Sequence, residues 1–163
     1  LIRMVDGVMA RLTLRKTRGD LAKHSTIPTL NALDDFAHPC QMLADMMPIY
    51  EKRGAFDGLK MAYCGDCHNN DTYDLMRSAA LLGFEMRVAG PEGEEFEPEK
   101  EVLEECAELF KVSGGKVIYT HDPVEAVKDC EFVYAHSWMA YHIYPEEQGE
   151  SKTQFMPYQI PRE

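Results

Sequence analysis

From residue 59 onward, apolar positions alternate between short runs and helical stripes. Leu59-Lys60-Met61-Ala62-Tyr63-Cys64 is a run of strand length, and Gly65-Asp66 closes it. Leu75, Met76, Ala79 and Leu82 then recur at helical spacing, with Gly83 as the stop. Phe84 to Ala89 reads as a second strand ended by Gly90-Pro91. Pro98 to Lys111 predicts a helix whose stripe is Val102, Leu103, Cys106, Leu109 and Phe110. Lys116 to Thr120 is a third strand, Asp122-Pro123 opens a short helix reaching about Lys128, and Glu131 to Tyr134 is a fourth strand. Strands alternating with helices across short joints specify an α/β fold, an open parallel sheet flanked by helices.

Residues 1–54 are patterned differently. Val5 and Val8 mark a possible strand, Leu21-Ala22 a short helix, and Ile27 to Asn31 a strand or turn. Ala37 to Lys52 is strongly helical, with Pro39 suited to its first turn and Gly54 to its end. That stretch predicts a connector, residues 38–54, between an amino-terminal unit, 1–37, and a second unit, 55–163. The first unit is too short to bury a core alone and is expected to be incomplete.

Charge narrows the function classes. The 163 residues carry 17 Lys+Arg against 28 Asp+Glu, a net charge of −11. Such acidity argues against general nucleic-acid or anionic-membrane binding, which rests on neutralising negative charge. It leaves room for a small anionic substrate in a locally positive pocket. No apolar run approaches the roughly 20 residues that span a bilayer. Leu1 to Asp6 also lacks the charged head and apolar stretch of a signal peptide. A cytoplasmic location is therefore expected, and an odd count of 5 cysteines suits it better than a disulfide framework.

His38-Pro39-Cys40-Gln41 gathers candidate chemistry at one helix start. With Pro39 opening the helix, His38 stands at the cap and Gln41 lies one turn on along the same side. Free backbone N–H groups and the positive dipole end share that space, which suits an anionic or carbonyl-bearing ligand. A capping histidine beside a solvent-facing glutamine is the plainer alternative. Cys64-Gly65-Asp66-Cys67-His68 spells the C-x-x-C-H of haem attachment and contains a redox-type pair. A zinc site could recruit the same side chains, although no second paired-ligand motif follows. Buried filler at a strand end is the ordinary role for Cys64, and no metal or cofactor is expected. Asn69 and Asn70 follow at the carboxyl end of the first strand of the α/β unit, where ligands bind in such sheets. They could hydrogen-bond an amino-acid-like substrate or simply cap the next helix. Tyr134 to Tyr141 follows the fourth strand towards the same crevice and holds the single Trp, Trp138. No G-x-S-x-G, Walker loop or H-E-x-x-H occurs in the chain.

Together these residues resemble the aspartate/ornithine carbamoyltransferase family, its ornithine and putrescine branches above all. Matching elements run in family order: Arg3-Met4 with Asp6-Gly7, Leu21-Ala22, Pro28, Asn31, Leu33-Asp34, His38-Pro39-Cys40-Gln41, Leu43-Ala44-Asp45 and Glu51. Gly58, Gly65-Asp66 with Asn69-Asn70, Gly90-Pro91-Glu92-Gly93, Ser113-Gly114-Gly115, Glu125-Ala126-Val127, Val133-Tyr134, Trp138, Phe155 and Tyr158-Gln159 continue the order. The resemblance implies carbamoyl transfer from carbamoyl phosphate to an amine of ornithine or a related amine, without metal or organic cofactor. It implies that Arg3 and His38 hydrogen-bond the carbamoyl carbonyl and Gln41 its amide nitrogen. Asn69, Asn70, His136, Trp138, Met139, Ala140 and Tyr141 would line the acceptor side. It further implies a Rossmann-like acceptor domain at 55–163, a truncated carbamoyl-phosphate domain at 1–37 and a homotrimer. The family's S-x-R-T-R and H-C-L-P segments are expected before Leu1 and after Glu163, so the chain reads as the inactive middle of a longer enzyme.

One local departure concerns the acceptor. Ornithine enzymes carry an Asp two residues before this Trp and an S-M-G loop soon after. Here His136 and Met139-Ala140-Tyr141-His142 stand instead. The putrescine branch has Tyr-rich residues after the Trp, and a knotted transcarbamylase branch has S-W-x-x-Y, matched by Ser137-Trp138 and Tyr141. Putrescine or another amine is the alternative acceptor. The reading from another class is a non-enzymatic metal- or haem-binding module around Cys64, Cys67 and His68.

Overall fold

The computed structural model describes residues 4–136 and 153–160. The amino-terminal part is a parallel strand pair, β1 (Val8–Arg11) and β2 (Thr29–Leu33), joined by α1 (Arg15–His24). It buries little: among its strand residues only Ala10 is in the core, while Met9 and Leu30 are exposed. Next comes α2 (Pro39–Arg53), with Pro39 at its start and Gly54 closing it in the left-handed region, φ 81°. Only a residue without a β-carbon takes that conformation freely, so the Gly54 N–H can return to the Tyr50 carbonyl.

The second part has strands β3 (Lys60–Cys64), β4 (Glu85–Ala89), β5 (Lys116–Thr120) and β6 (Phe132–Ala135). They interleave with α3 (Asn70–Leu82), α4 (Lys100–Ser113) and α5 (Pro123–Val127), and a 3-10 turn, Met156–Tyr158, follows later. All pairings are parallel, and the order across the sheet is β5-β4-β3-β6. The expected α/β architecture is therefore the one observed. The chain builds outward from β3 through β4 to β5, then crosses back to place β6 on the other side of β3. That reversal makes a crevice at the carboxyl ends of β3 and β6.

The core lies between the sheet and α2 and α3. Leu59, Met61, Tyr63, Met86 and Val88 from the sheet meet Met42, Met46 and Ile49 of α2 and Leu75, Met76 and Ala79 of α3. Each fully buried side chain of this size contributes about 1.5–3 kcal/mol of transfer free energy. On the opposite face a smaller cluster joins Ala62, Cys64, Ala89, Ala126 and Tyr158. No helix among the described residues is long and apolar enough to cross a membrane.

Candidate active site

The crevice at the β3 and β6 ends receives two helix starts. After β3, the turn Gly65 to Asn69 leads into α3, whose cap is Asn69: its Oδ1 accepts from the Thr72 N–H at 2.9 Å. The Asn69 amide nitrogen donates to the Asp66 carbonyl and to the Tyr63 hydroxyl. Both ends of that side chain are thus engaged inside the protein. The structure gives Asn69 the helix-capping role that the sequence offered beside acceptor binding. Asn70 reaches the other way, donating from Nδ2 to the Asp34 carbonyl at 2.7 Å, which ties α3 to the segment ahead of α2.

Asp34 builds that segment. It is fully buried, and its Oδ1 accepts from the N–H groups of Phe36, at 2.9 Å, and Ala37, at 2.8 Å. Its Oδ2 is ion-paired to Arg18 and hydrogen-bonded by Asn31. Burial pushes such a carboxyl up, yet the Phe36 N–H and Arg18 outweigh it and hold Asp34 below the ordinary aspartate value. The result is a fixed turn that delivers His38 to the start of α2.

His38 is anchored twice. Its backbone N–H donates to Asp74 Oδ2 at 2.6 Å, and its ring Nδ1 meets Asp71 Oδ1 at 2.9 Å. The other oxygen of Asp71 meets His136 Nε2 at 3.1 Å, just past the end of β6. One carboxylate therefore bridges the start of α2 and the exit of β6. Burial favours the neutral form of Asp71, but His136 and His38 oppose it and leave its pKa lowered. An ionised carboxylate accepts only, so the hydrogen of His38 on this side sits on Nδ1 and that of His136 on Nε2. Asp74 behaves oppositely: burial prevails over Arg77, 2.7 Å away, and over the His38 N–H, and its pKa is raised.

Gln41 lies one turn beyond His38. Its Nε2 donates to Asp45 Oδ1 at 2.9 Å, which directs Oε1 to accept from another donor. Of the expected site residues, the structure brings together His38, Gln41, Asn70 and His136 around α2, α3 and β6. Arg3, Trp138, Met139, Ala140 and Tyr141 lie outside the described residues. Asp71 and Asp74 were absent from the sequence expectations. Their spacing, two acids three apart, puts them on one face of a helix start but does not name their partners.

The cysteine motif takes no part in this arrangement. Cys64 and Cys67 are buried, and Cys67 Sγ donates to the Gly65 carbonyl at 3.4 Å. Burial pushes the Cys64 thiol up to about 11 and the Cys67 thiol further, so neither is a thiolate near neutrality. His68 is turned to the Glu97 carbonyl. Among the described residues no group of three His, Cys, Asp or Glu side chains is disposed to hold a metal ion. An apolar groove of 540 Å³ runs between α2 and α3, but its lining includes neither His38 nor Asp71.

Residues 57–163 match the family model for the aspartate/ornithine carbamoyltransferase Asp/Orn binding domain, and residues 1–51 match that for the carbamoyl-P binding domain. An ornithine carbamoyltransferase of Thermococcus kodakarensis is 42% identical over 163 residues, which are 100% of this chain and 50% of that protein. The solved ornithine carbamoyltransferase of Pyrococcus furiosus superposes with a TM-score of 0.90 at 41% identity, covering 98% of this chain and 50% of that one. Ornithine transcarbamoylase from Giardia lamblia gives 0.89 at 40%, covering 98% and 53%. The chain spans about half the length of the curated relatives it matches. It belongs to the aspartate/ornithine carbamoyltransferase family.

Proposed function

We propose that the full-length protein transfers a carbamoyl group from carbamoyl phosphate to an amine of ornithine or a related amine. The observation that carries this is the start of α2, where His38 is held by Asp71 and Gln41 keeps its carbonyl oxygen available, in a member of this family. In the reaction the amine nitrogen attacks the carbamoyl carbon and a C–N bond forms. The C–O bond to phosphate breaks, phosphate departs, and the amine loses a proton. The tetrahedral intermediate carries an oxyanion, which preorganised donors stabilise. Arg3 would donate to that oxygen, as would Nε2–H of a doubly protonated His38 ring whose Nδ1–H is held by Asp71, and Gln41 Oε1 would accept from the carbamoyl N–H. Asn70 and His136, with Trp138, Met139, Ala140 and Tyr141, would face the acceptor. Orientation of the two substrates supplies much of the remaining acceleration.

The same reading assigns residues 1–37 to a carbamoyl-phosphate domain, 38–54 to the interdomain helix and 55–163 to the acceptor domain. It extends to a cytoplasmic homotrimer, which sedimentation of the full-length protein checks. The test of function is direct. Full-length protein given carbamoyl phosphate and a panel of amines should release phosphate and ureido product in equal amounts. His38→Ala or Arg3→Ala should lower turnover roughly 10²–10³-fold with little change in melting temperature. Absence of ureido product with every amine would overturn the proposal.

A further inference from the structure

We propose that Asp71 is a positioning residue, which links the imidazoles of His38 and His136 to one another and so fixes the orientation in which His38 presents Nε2. Asp71 belongs to none of the motifs through which the chain resembles its family, and it sits in the first turn of α3. Its side chain is only 11% exposed, with Oδ1 at 2.9 Å from His38 Nδ1 and Oδ2 at 3.1 Å from His136 Nε2. An acid in the first turn of a helix ordinarily complements the dipole from the surface. Asp71 is instead turned inward, and both of its oxygens are used by rings from two other parts of the chain.

The consequence follows from hydrogen-bond chemistry. A neutral imidazole has one N–H and one lone pair, and a carboxylate partner selects which nitrogen carries the hydrogen. With its Nδ1–H committed to Asp71, His38 directs Nε2 away from that carboxylate, and Nε2 accepts when the ring is neutral and donates only when the ring carries both hydrogens. The His38 N–H to Asp74 fixes the backbone beneath the ring, so Asp71 and Asp74 together remove the freedom of the ring to turn. Through Oδ2 the same carboxylate sets the angle of His136 on the acceptor side. The two substrate sides are thereby joined by a single side chain, one link between the end of β6 and the start of α2.

This rests on the proposed carbamoyl transfer, and the experiment separates the two. Asp71→Asn in the full-length enzyme keeps size and polarity but loses the charge. It should lower kcat about 10- to 100-fold, with a much smaller change in KM for carbamoyl phosphate. In a His38→Ala background the same substitution should change kcat by less than about twofold, because its effect runs through His38. Equal effects in both backgrounds, or an unchanged kcat in Asp71→Asn, would overturn the proposal. Histidine-labelled protein gives a reading that needs no activity. Nitrogen resonances of His38 and His136 should report hydrogen on Nδ1 and Nε2 respectively, and Asp71→Ala should release both. Shifts untouched by Asp71→Ala overturn the positioning role. Shifts that respond in an enzyme forming no ureido product would leave Asp71 as assigned and remove only the function.

Discussion

At the residue scale, Asn69 and Asn70 look interchangeable in sequence and differ in what they hold. Asn69 engages Thr72, Asp66 and Tyr63, whereas Asn70 uses Nδ2 on Asp34. Asn69→Ala should therefore cost about 1 kcal/mol of stability, the usual worth of a cap, seen as a lower melting temperature. The acceptor KM should stay within about twofold of wild type in the same variant. A large rise in KM would return Asn69 to the acceptor site. Gly90 is a second point of tight fit. A β-carbon there would stand 2.5 Å from Cys67 Sγ and 2.8 Å from the Gly65 carbonyl oxygen. Gly90→Ala should destabilise by about 1–3 kcal/mol in a denaturant titration, since overpacking forces the β3 turn to move. His38 and Gln41 were legible because helix-start chemistry is written in four consecutive residues. Asp71 was not, because what distinguishes it is its partners, His38 and His136, drawn from 33 residues upstream and from beyond β6.

At the element scale, β3, β4, β5 and β6 fall where short apolar runs predict them; β3 and β4 are largely buried, as central parallel strands are, while β5 and β6 are half exposed. The start of α3 was carried by the capping alternative for Asn69 and Asn70 and not by periodicity, whose residues begin at Leu75 while the helix begins at Asn70. Its first turn buries Asp71, Thr72 and Asp74, so polar residues occupy positions where periodicity seeks apolar ones. The pairing of β1 with β2 was illegible for a different reason, as both strands are short and half exposed. The α2–α3 junction makes a pH prediction. Asp34 and Asp71 have folded-state pKa values below the ordinary aspartate value of 3.8. Their stabilisation is fully present above that value and is lost as pH falls through the depressed folded values. Stability measured by denaturant should therefore drop below about pH 4, and Asp34→Asn should flatten that drop while lowering stability at neutral pH. Asp74, with its raised pKa, acts in the opposite sense and partly offsets the loss. A stability profile of Asp34→Asn parallel to wild type in acid would contradict the assignment.

At the scale of the whole molecule, the order β5-β4-β3-β6 sets the carboxyl ends of β3 and β6 side by side, where Asp71 and His136 meet. Ornithine enzymes resembled by this chain carry an Asp at the place of His136, suited to the α-ammonium of their acceptor. Here the described carboxylate at that side is Asp71, and both of its oxygens already accept from imidazoles. An α-ammonium arriving there would have to displace a histidine to gain a charge-assisted bond. Discrimination between ornithine and a diamine lacking the α-carboxylate should therefore be small, within about tenfold in kcat/KM. Moving the charge tests this. His136→Asp alone sets two carboxylates against each other and should raise KM for both amines. Adding Asp71→Asn relieves that repulsion and restores a carboxylate on the β6 side. The double variant should then favour ornithine over putrescine by roughly 10- to 100-fold more than wild type, the worth of a charged hydrogen bond. The measured quantity is the ratio of kcat/KM values, so a general loss of rate through His38 cancels. A ratio unchanged by the double substitution would show that the α-ammonium is recognised elsewhere, and that the position of His136 does not set the acceptor.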